Sequence, residues 1–171
     1  HGDTPALELL NVILGQGESS RLNVSVVRRD KAAVAAGTFI NPLSPRRGPG
    51  TLTIFGIVNQ GVEVLRLDTL IVAQLDSVRR QGVTADELTK AKNTFRASVI
   101  RSRETTLDKA EALHHYRMFH ASLEEINTDL ERYLAVTADD VRRVATTYLE
   151  PANAVVLILK PAPAGETGGA P

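Results

Sequence analysis

Three of the four histidines of this 171-residue chain fall within seven positions, in the run LHHYRMFH that carries His114, His115 and His120. Imidazoles hold a metal together when two of them share one face of a helix, at i and i+4. No pair here has that spacing. His114 and His115 point about 100° apart on a helix, so one is expected to pack within the helical layer and the other to face solvent. The serines offer no defensible Ser-His-Asp arrangement, because such triads assemble in space and not in sequence. Gly15-x-Gly17 follows a helical pattern instead of a strand and lacks a third spaced glycine, so it reads as a corner and not as a dinucleotide cradle. Arg21, Arg28, Arg29, Lys31, Arg46 and Arg47 form a basic rim without interleaved stacking aromatics, the pattern of a solvated surface more than of a nucleic-acid site. No catalytic residue and no metal ligand is assigned.

Composition narrows the partners further. Twenty basic and twenty acidic residues balance to zero formal charge, so no chain-wide field favours nucleic acid, an anionic membrane or an acidic substrate. Cysteine is absent, which excludes disulfides and thiolate metal sites. No apolar run is long enough to span a bilayer as a helix, and HGDTPALE has neither the basic region nor the apolar run of a signal peptide. The length fits one domain with a real core.

The elements that must position any site are organised around ALELLNVILGQGESSRL, residues 6–22. Leu7, Leu10, Ile13 and Leu14 recur at helical spacing behind a Thr4-Pro5 start, and the helix is expected to stop at Leu14. Gly15 and Gly17 are expected to supply left-handed or otherwise strained backbone, and Ser19 or Ser20 to cap a second helix over residues 20–29 that begins with Arg21 and Leu22. The valines at 24, 26 and 27 weaken that second helix. AVAAGTFI, residues 33–40, reads as a buried strand, and TLTIFGIVN, residues 51–59, as its antiparallel neighbour, with the proline- and glycine-rich loop 41–50 between them.

Leu65, Leu67, Leu70, Ile71, Leu75 and Val78 define a long amphipathic helix ended by Gly82. Thr84-x-x-Glu87, Thr105 or Thr106, Ser122-x-x-Glu125 and Thr137-x-x-Asp140 open four more helices. AVVLIL, residues 154–159, is expected to be a strand inside the sheet, and the low-complexity residues 162–171 a disordered tail.

The run of Gly15, Gly17, Ser19, Ser20, Arg21 and Leu22 after a leucine-rich helix, together with this order of elements, resembles the non-catalytic C-terminal domain of the M16 zinc metallopeptidases, the pitrilysin, insulinase and mitochondrial-processing-peptidase group. The resemblance covers about residues 2–161. It implies an α+β fold, a mixed or antiparallel sheet of at least three strands covered on one face by helices, with the opening strand of the domain missing. It implies a domain over 1–161 that closes over a zinc-bearing catalytic partner and encloses a peptide, or alternatively a scaffolding subunit that has lost any proteolytic role. Zinc would then sit in the partner, since His-x-x-Glu-His does not occur here.

The family's substrate-contacting arginine and tyrosine fall, counted without gaps, on Val27 and Val34. Arg28 and Arg29 lie one and two places from the first of these, and with Arg21 they remain the candidates for contacting substrate. Self-association of the fragment through an open sheet edge is a further expectation. The resemblance points to a bacterial cell envelope or periplasm and leaves the cytoplasm open.

Overall fold

The structure is a computed structural model that describes residues 1–40 and 50–160. Among the described residues, six α-helices accompany a short hairpin sheet: α1 Thr4–Gly15, a π-helix Asn23–Arg29, β1 Ala33–Ile40, β2 Leu52–Val58, α2 Val64–Gln81, α3 Ala85–Arg101, α4 Thr106–Phe119, α5 Glu125–Leu134 and α6 Ala138–Tyr148. A 3-10 turn at Pro151–Asn153 leads into residues 154–160. The loop expected at 41–50 lies almost wholly outside the described residues, and the tail at 162–171 lies wholly outside them.

Helix α1 is the centre of the helical layer. Its Leu9, Leu10, Ile13 and Leu14 are buried against Val78 of α2, Leu88 and Ala91 of α3, Tyr133 of α5 and Val141, Val144 and Ala145 of α6. The leucine spacing of the sequence is thus the seam on which five helices meet. A second core joins the π-helix to the sheet through Leu22, Val26, Ala32, Ala33 and Leu67.

Three helix starts carry complete capping boxes, in which a threonine hydroxyl accepts from the amide three residues on and the acid there accepts from the threonine amide: Thr84 with Glu87, Thr105 with Asp108, and Thr137 with Asp140. Each satisfies two otherwise orphaned amides. The box at Ser122 is split. Glu125 Oε1 accepts from Ser122 N at 3.3 Å, but the serine hydroxyl accepts from Glu124 N at 3.1 Å, and the helix begins at Glu125. At the first helix the start shifts by one residue: Asp3 is the cap position, with Thr4 already helical.

β1 and β2 pair antiparallel, with Ala36 opposite Gly56, Gly37 opposite Phe55 and Thr38 opposite Ile54, and the register shifts between Ala33 and Ala35. Opposed residues share a face. The face bearing Ala36, Thr38 and Gly56 meets the helices: Thr38 Oγ1 donates to the Asn11 carbonyl of α1 at 2.9 Å, and a side chain at Gly56 would touch Leu67 and Ile71 of α2. Among the described residues the other face is the more open of the two. It shows Phe39 and Phe55, stacked at 5.6 Å, and Ile57, which is 55% exposed.

Four expectations are corrected. Gly15 is the last residue of α1 and not a left-handed corner; positive φ belongs to Gly17, at 79°. Gly15 is required for another reason, since a β-carbon there would stand 2.2 Å from Thr38 N and 2.3 Å from its Oγ1. Neither serine caps the second helix by accepting from its amides: Ser20 Oγ donates backwards to the Gly17 carbonyl at 2.8 Å, and Ser19 meets Lys90. The helix that follows is wound as a π-helix, with Asp30 N donating to Ser25 O.

The last correction concerns the sheet, which has two strands among the described residues. Residues 154–160 run without a strand partner, and Val155, Leu157 and Leu159 are 96%, 79% and 84% exposed. An apolar run is a strand only where an edge is there to pair with it.

Candidate functional site

The corner motif positions the arginines. Arg21 turns its guanidinium inward, where Nε and Nη2 donate to the two oxygens of Glu87 at 2.6 and 2.8 Å, and Nη2 also donates to the Gly82 carbonyl at 3.1 Å. This fork pins the start of α3, because Glu87 is also the acid of its capping box. The guanidinium beside Glu87 is the largest of the causes holding its carboxyl below the usual glutamate range. Arg21 is therefore committed to an intramolecular partner, and Leu22 beside it is fully buried.

Arg28 and Arg29 stand instead on the outer turn of the π-helix, more than half exposed. Arg28 reaches Glu18, and Arg29 binds its neighbour Asp30 through Nε at 3.0 Å and Nη2 at 2.9 Å. Exposed pairs of this kind are worth little and exchange readily for another anion. The π-helix ends three residues before β1, so both arginines lie near the start of that strand, where Val34, at the register irregularity, is 56% exposed. Phe39, Phe55 and Ile57 thus leave exposed apolar side chains on the strands, and Arg28 and Arg29 are exposed cations on the π-helix ahead of them.

The histidines behave partly as their helical spacing predicts. His114 is exposed and His115 half-buried. Helical spacing missed that α4 stops at Phe119, which turns His120 back: its ring stacks on Tyr116 at 4.2 Å and lies 5.6 Å from the ring of His115. His120 Nδ1 is 3.0 Å from Glu125 Oε2, while Tyr116 donates to Asp129 at 3.0 Å. Burial lowers the pKa of His115 and is the main cause raising Tyr116 to about 12. Among the described residues no group of three or more histidine, aspartate or glutamate side chains is arranged to hold a metal ion. The constellation is a polar clasp between α4 and α5.

A helical layer packed on a short antiparallel sheet and a glycine-serine-arginine corner tied to the start of α3 are the features that define this fold. The chain belongs to the peptidase M16 inactive-domain family, whose model matches residues 1–95. It is 29% identical over 161 residues to a zinc protease, PqqE, of Helicobacter pylori, covering 94% of this chain and 35% of that protein. The chain thus spans about a third of the length of this curated relative.

Among solved structures, a protease from Helicobacter pylori matches with a TM-score of 0.77 at 26% identity, over 90% of this chain and 36% of that one. The inactive peptidase domain of a zinc protease from Bordetella parapertussis matches with a TM-score of 0.76 at 23% identity, over 90% and 81% of the two chains. The expected α+β fold of helices on an antiparallel sheet is the fold of these structures.

Proposed function

We propose that this chain is the catalytically silent half of an M16 zinc peptidase, a domain spanning residues 1–161 that closes over a zinc-bearing catalytic domain and walls the space in which a peptide lies. Zinc belongs to that catalytic domain, and residues 162–171 lie outside the working unit. The observation that carries the reading is the exposure of Phe39, Phe55 and Ile57 on the strands, in a family of inactive domains that accompany zinc proteases. Arg28 and Arg29, exposed on the π-helix ahead of β1, are the substrate contacts; Arg21 serves the corner.

The test is a titration of the chain against its cognate zinc-bearing half, with complex formation and peptide cleavage followed in the same samples. Arg28→Ala together with Arg29→Ala should lower turnover while leaving the complex intact. Absence of any complex refutes the proposal.

A scaffolding role without proteolysis is the second reading. It is favoured by Val27 and Val34 at the two positions where the resemblance expects an arginine and a tyrosine, and by the acids that already accompany Arg28 and Arg29. It predicts a complex whose turnover is indifferent to both arginines.

A further inference from the structure

Helix α4 is fourteen residues long, yet Tyr116 is its one buried side chain. Its main packing partner is α5. A helix held by so little apolar contact sits at the low end of local stability, and the polar groups around its single anchor decide whether it stays docked. Those groups titrate. The Tyr116 hydroxyl donates to Asp129 Oδ2 at 3.0 Å, and its ring stacks on His120 at 4.2 Å. The rings of His120 and His115 are 5.6 Å apart.

Charge balance at this contact extends to one imidazolium. His120 ends α4, where a helix favours a cation, and its Nδ1 lies 3.0 Å from Glu125 Oε2. Glu125 Oε1 accepts from Ala121 N at 3.1 Å and from Ser122 N at 3.3 Å, so the same carboxylate shapes the turn between the two helices. A second imidazolium, on His115, meets no such partner. Asp129 is engaged by Tyr116 and by Arg132 Nη1 at 2.8 Å. Beyond it stands Glu8 of α1, whose pKa burial raises. Arg103, ahead of α4, donates to the Ile126 carbonyl at 2.9 Å and adds positive charge. On α4 itself His114 and Arg117 are exposed, and so is Glu111, one turn before His115, where water weakens any pairing.

We propose that the α4–α5 contact is a proton-sensitive latch, closed while at most one of His115 and His120 is charged and released when both are. Two imidazolium rings at this separation repel, and the repulsion falls on the one buried side chain of α4. Burial, and after it the His120 charge, lowers the pKa of His115, and Asp129 offsets this in part. The folded chain thus binds fewer protons there than the unfolded chain. The contact is fully stable above the unfolded value of 6.5 and weakens as pH falls from there through the folded value. Release frees the face of α4 that carries Ala112, Tyr116 and Phe119.

The test is hydrogen exchange on the 171-residue chain at about pH 7.5 and about pH 5, either side of the imidazole range, with each rate divided by its intrinsic value. Protection of Thr106–Phe119 should fall by at least about fivefold between the two, while that of Ala138–Tyr148 on α6 holds. His115→Gln should abolish the loss, and His114→Gln, at the exposed neighbour, should leave it. Histidine ring proton shifts in the parent chain should put the titration of His115 in the pH range where α4 loses protection.

Unchanged protection of α4 at the lower pH overturns the proposal, as does an equal loss in α6, which marks global unfolding. Persistence of the loss in His115→Gln overturns it too. So does a His115 ring that titrates outside the range of the loss, a readout that needs no variant. Neither zinc, peptide nor catalytic partner enters these measurements, so they fail or succeed separately from the peptidase reading.

Discussion

Gly15 and Gly17, two residues apart, are needed for different physical reasons. A valine at Gly15 has nowhere to go, because the main chain of β1 stands 2.2 Å from the position of its first side-chain carbon. Gly15→Val should destabilise by about 3 kcal/mol or more, the upper range for overpacking, as strand and helix are pushed apart. Gly17 has open space around it and a φ of 79°, so Gly17→Ala should cost only about 1 kcal/mol of backbone strain. Urea unfolding of the two variants separates these; equal losses would mean that the strand yields.

Arg21 and Glu87 make a second residue-scale case. Removing the arginine leaves a half-buried carboxylate without its fork, a loss of about 2 kcal/mol, and Arg21→Lys should recover only part of it, because a point charge cannot engage both oxygens. The folded-state pKa of Glu87 is depressed. The pair therefore stabilises fully above the unfolded value of about 4.5, and the stabilisation is lost as pH falls from there through the folded value. Acid unfolding of Arg21→Ala should be correspondingly less steep than that of the parent chain.

Glu8 has the opposite sign. Burial on α1 raises its pKa, and the Tyr133 hydroxyl offsets this only in part. Folding favours the protonated acid, so its contribution falls as pH rises from about 4.5 through the folded value. Glu8→Gln should raise the melting temperature at pH 7 and flatten the pH dependence above 4.5. A melting temperature lowered at pH 7 would show that the carboxylate has a partner worth more than its desolvation.

At the scale of elements, the helix starts were the most legible features of the sequence. Threonine three residues before an acid specifies a local pair of hydrogen bonds that needs no tertiary help, and three such patterns are complete boxes. Thr84→Ala, Thr105→Ala and Thr137→Ala should each cost about 1 kcal/mol. The losses at Thr105 and Thr137 should add, since they lie on separate helices; denaturant midpoints of the single and double variants check this.

Elements whose state depends on neighbours were harder to read. The valines of the π-helix argued against a regular α-helix without indicating its wider winding. Residues 154–159 have strand composition, but pairing is decided by an edge that no local pattern encodes. On α4, Leu107, Ala110, Leu113 and Tyr116 recur at three-residue steps, yet Leu107 and Leu113 are 67% and 47% exposed, so such a repeat marks a face without telling what covers it. The site was legible to a similar extent. Spacing leaves the histidines without a helical pair, but it could not foresee that the end of α4 folds His120 back onto Tyr116.

For the whole molecule, the organising fact is that α1, at one end of the sequence, is buried by α6, near the other. Asp3 is the outer rivet of that contact: it accepts from Arg143 Nη2 at 2.6 Å and from the Tyr148 hydroxyl at 2.8 Å. The consequence falls on biosynthesis. As the chain leaves the ribosome, α1 emerges with its leucine row bare, and the last of the residues that bury it, Val141, Val144 and Ala145, are synthesised about 130 positions later. At translation rates of about 5–20 residues per second, that row waits on the order of ten seconds for its partners. Throughout that interval the nascent chain is a natural client for a holding chaperone, and its helical layer closes only after α6 has cleared the exit tunnel.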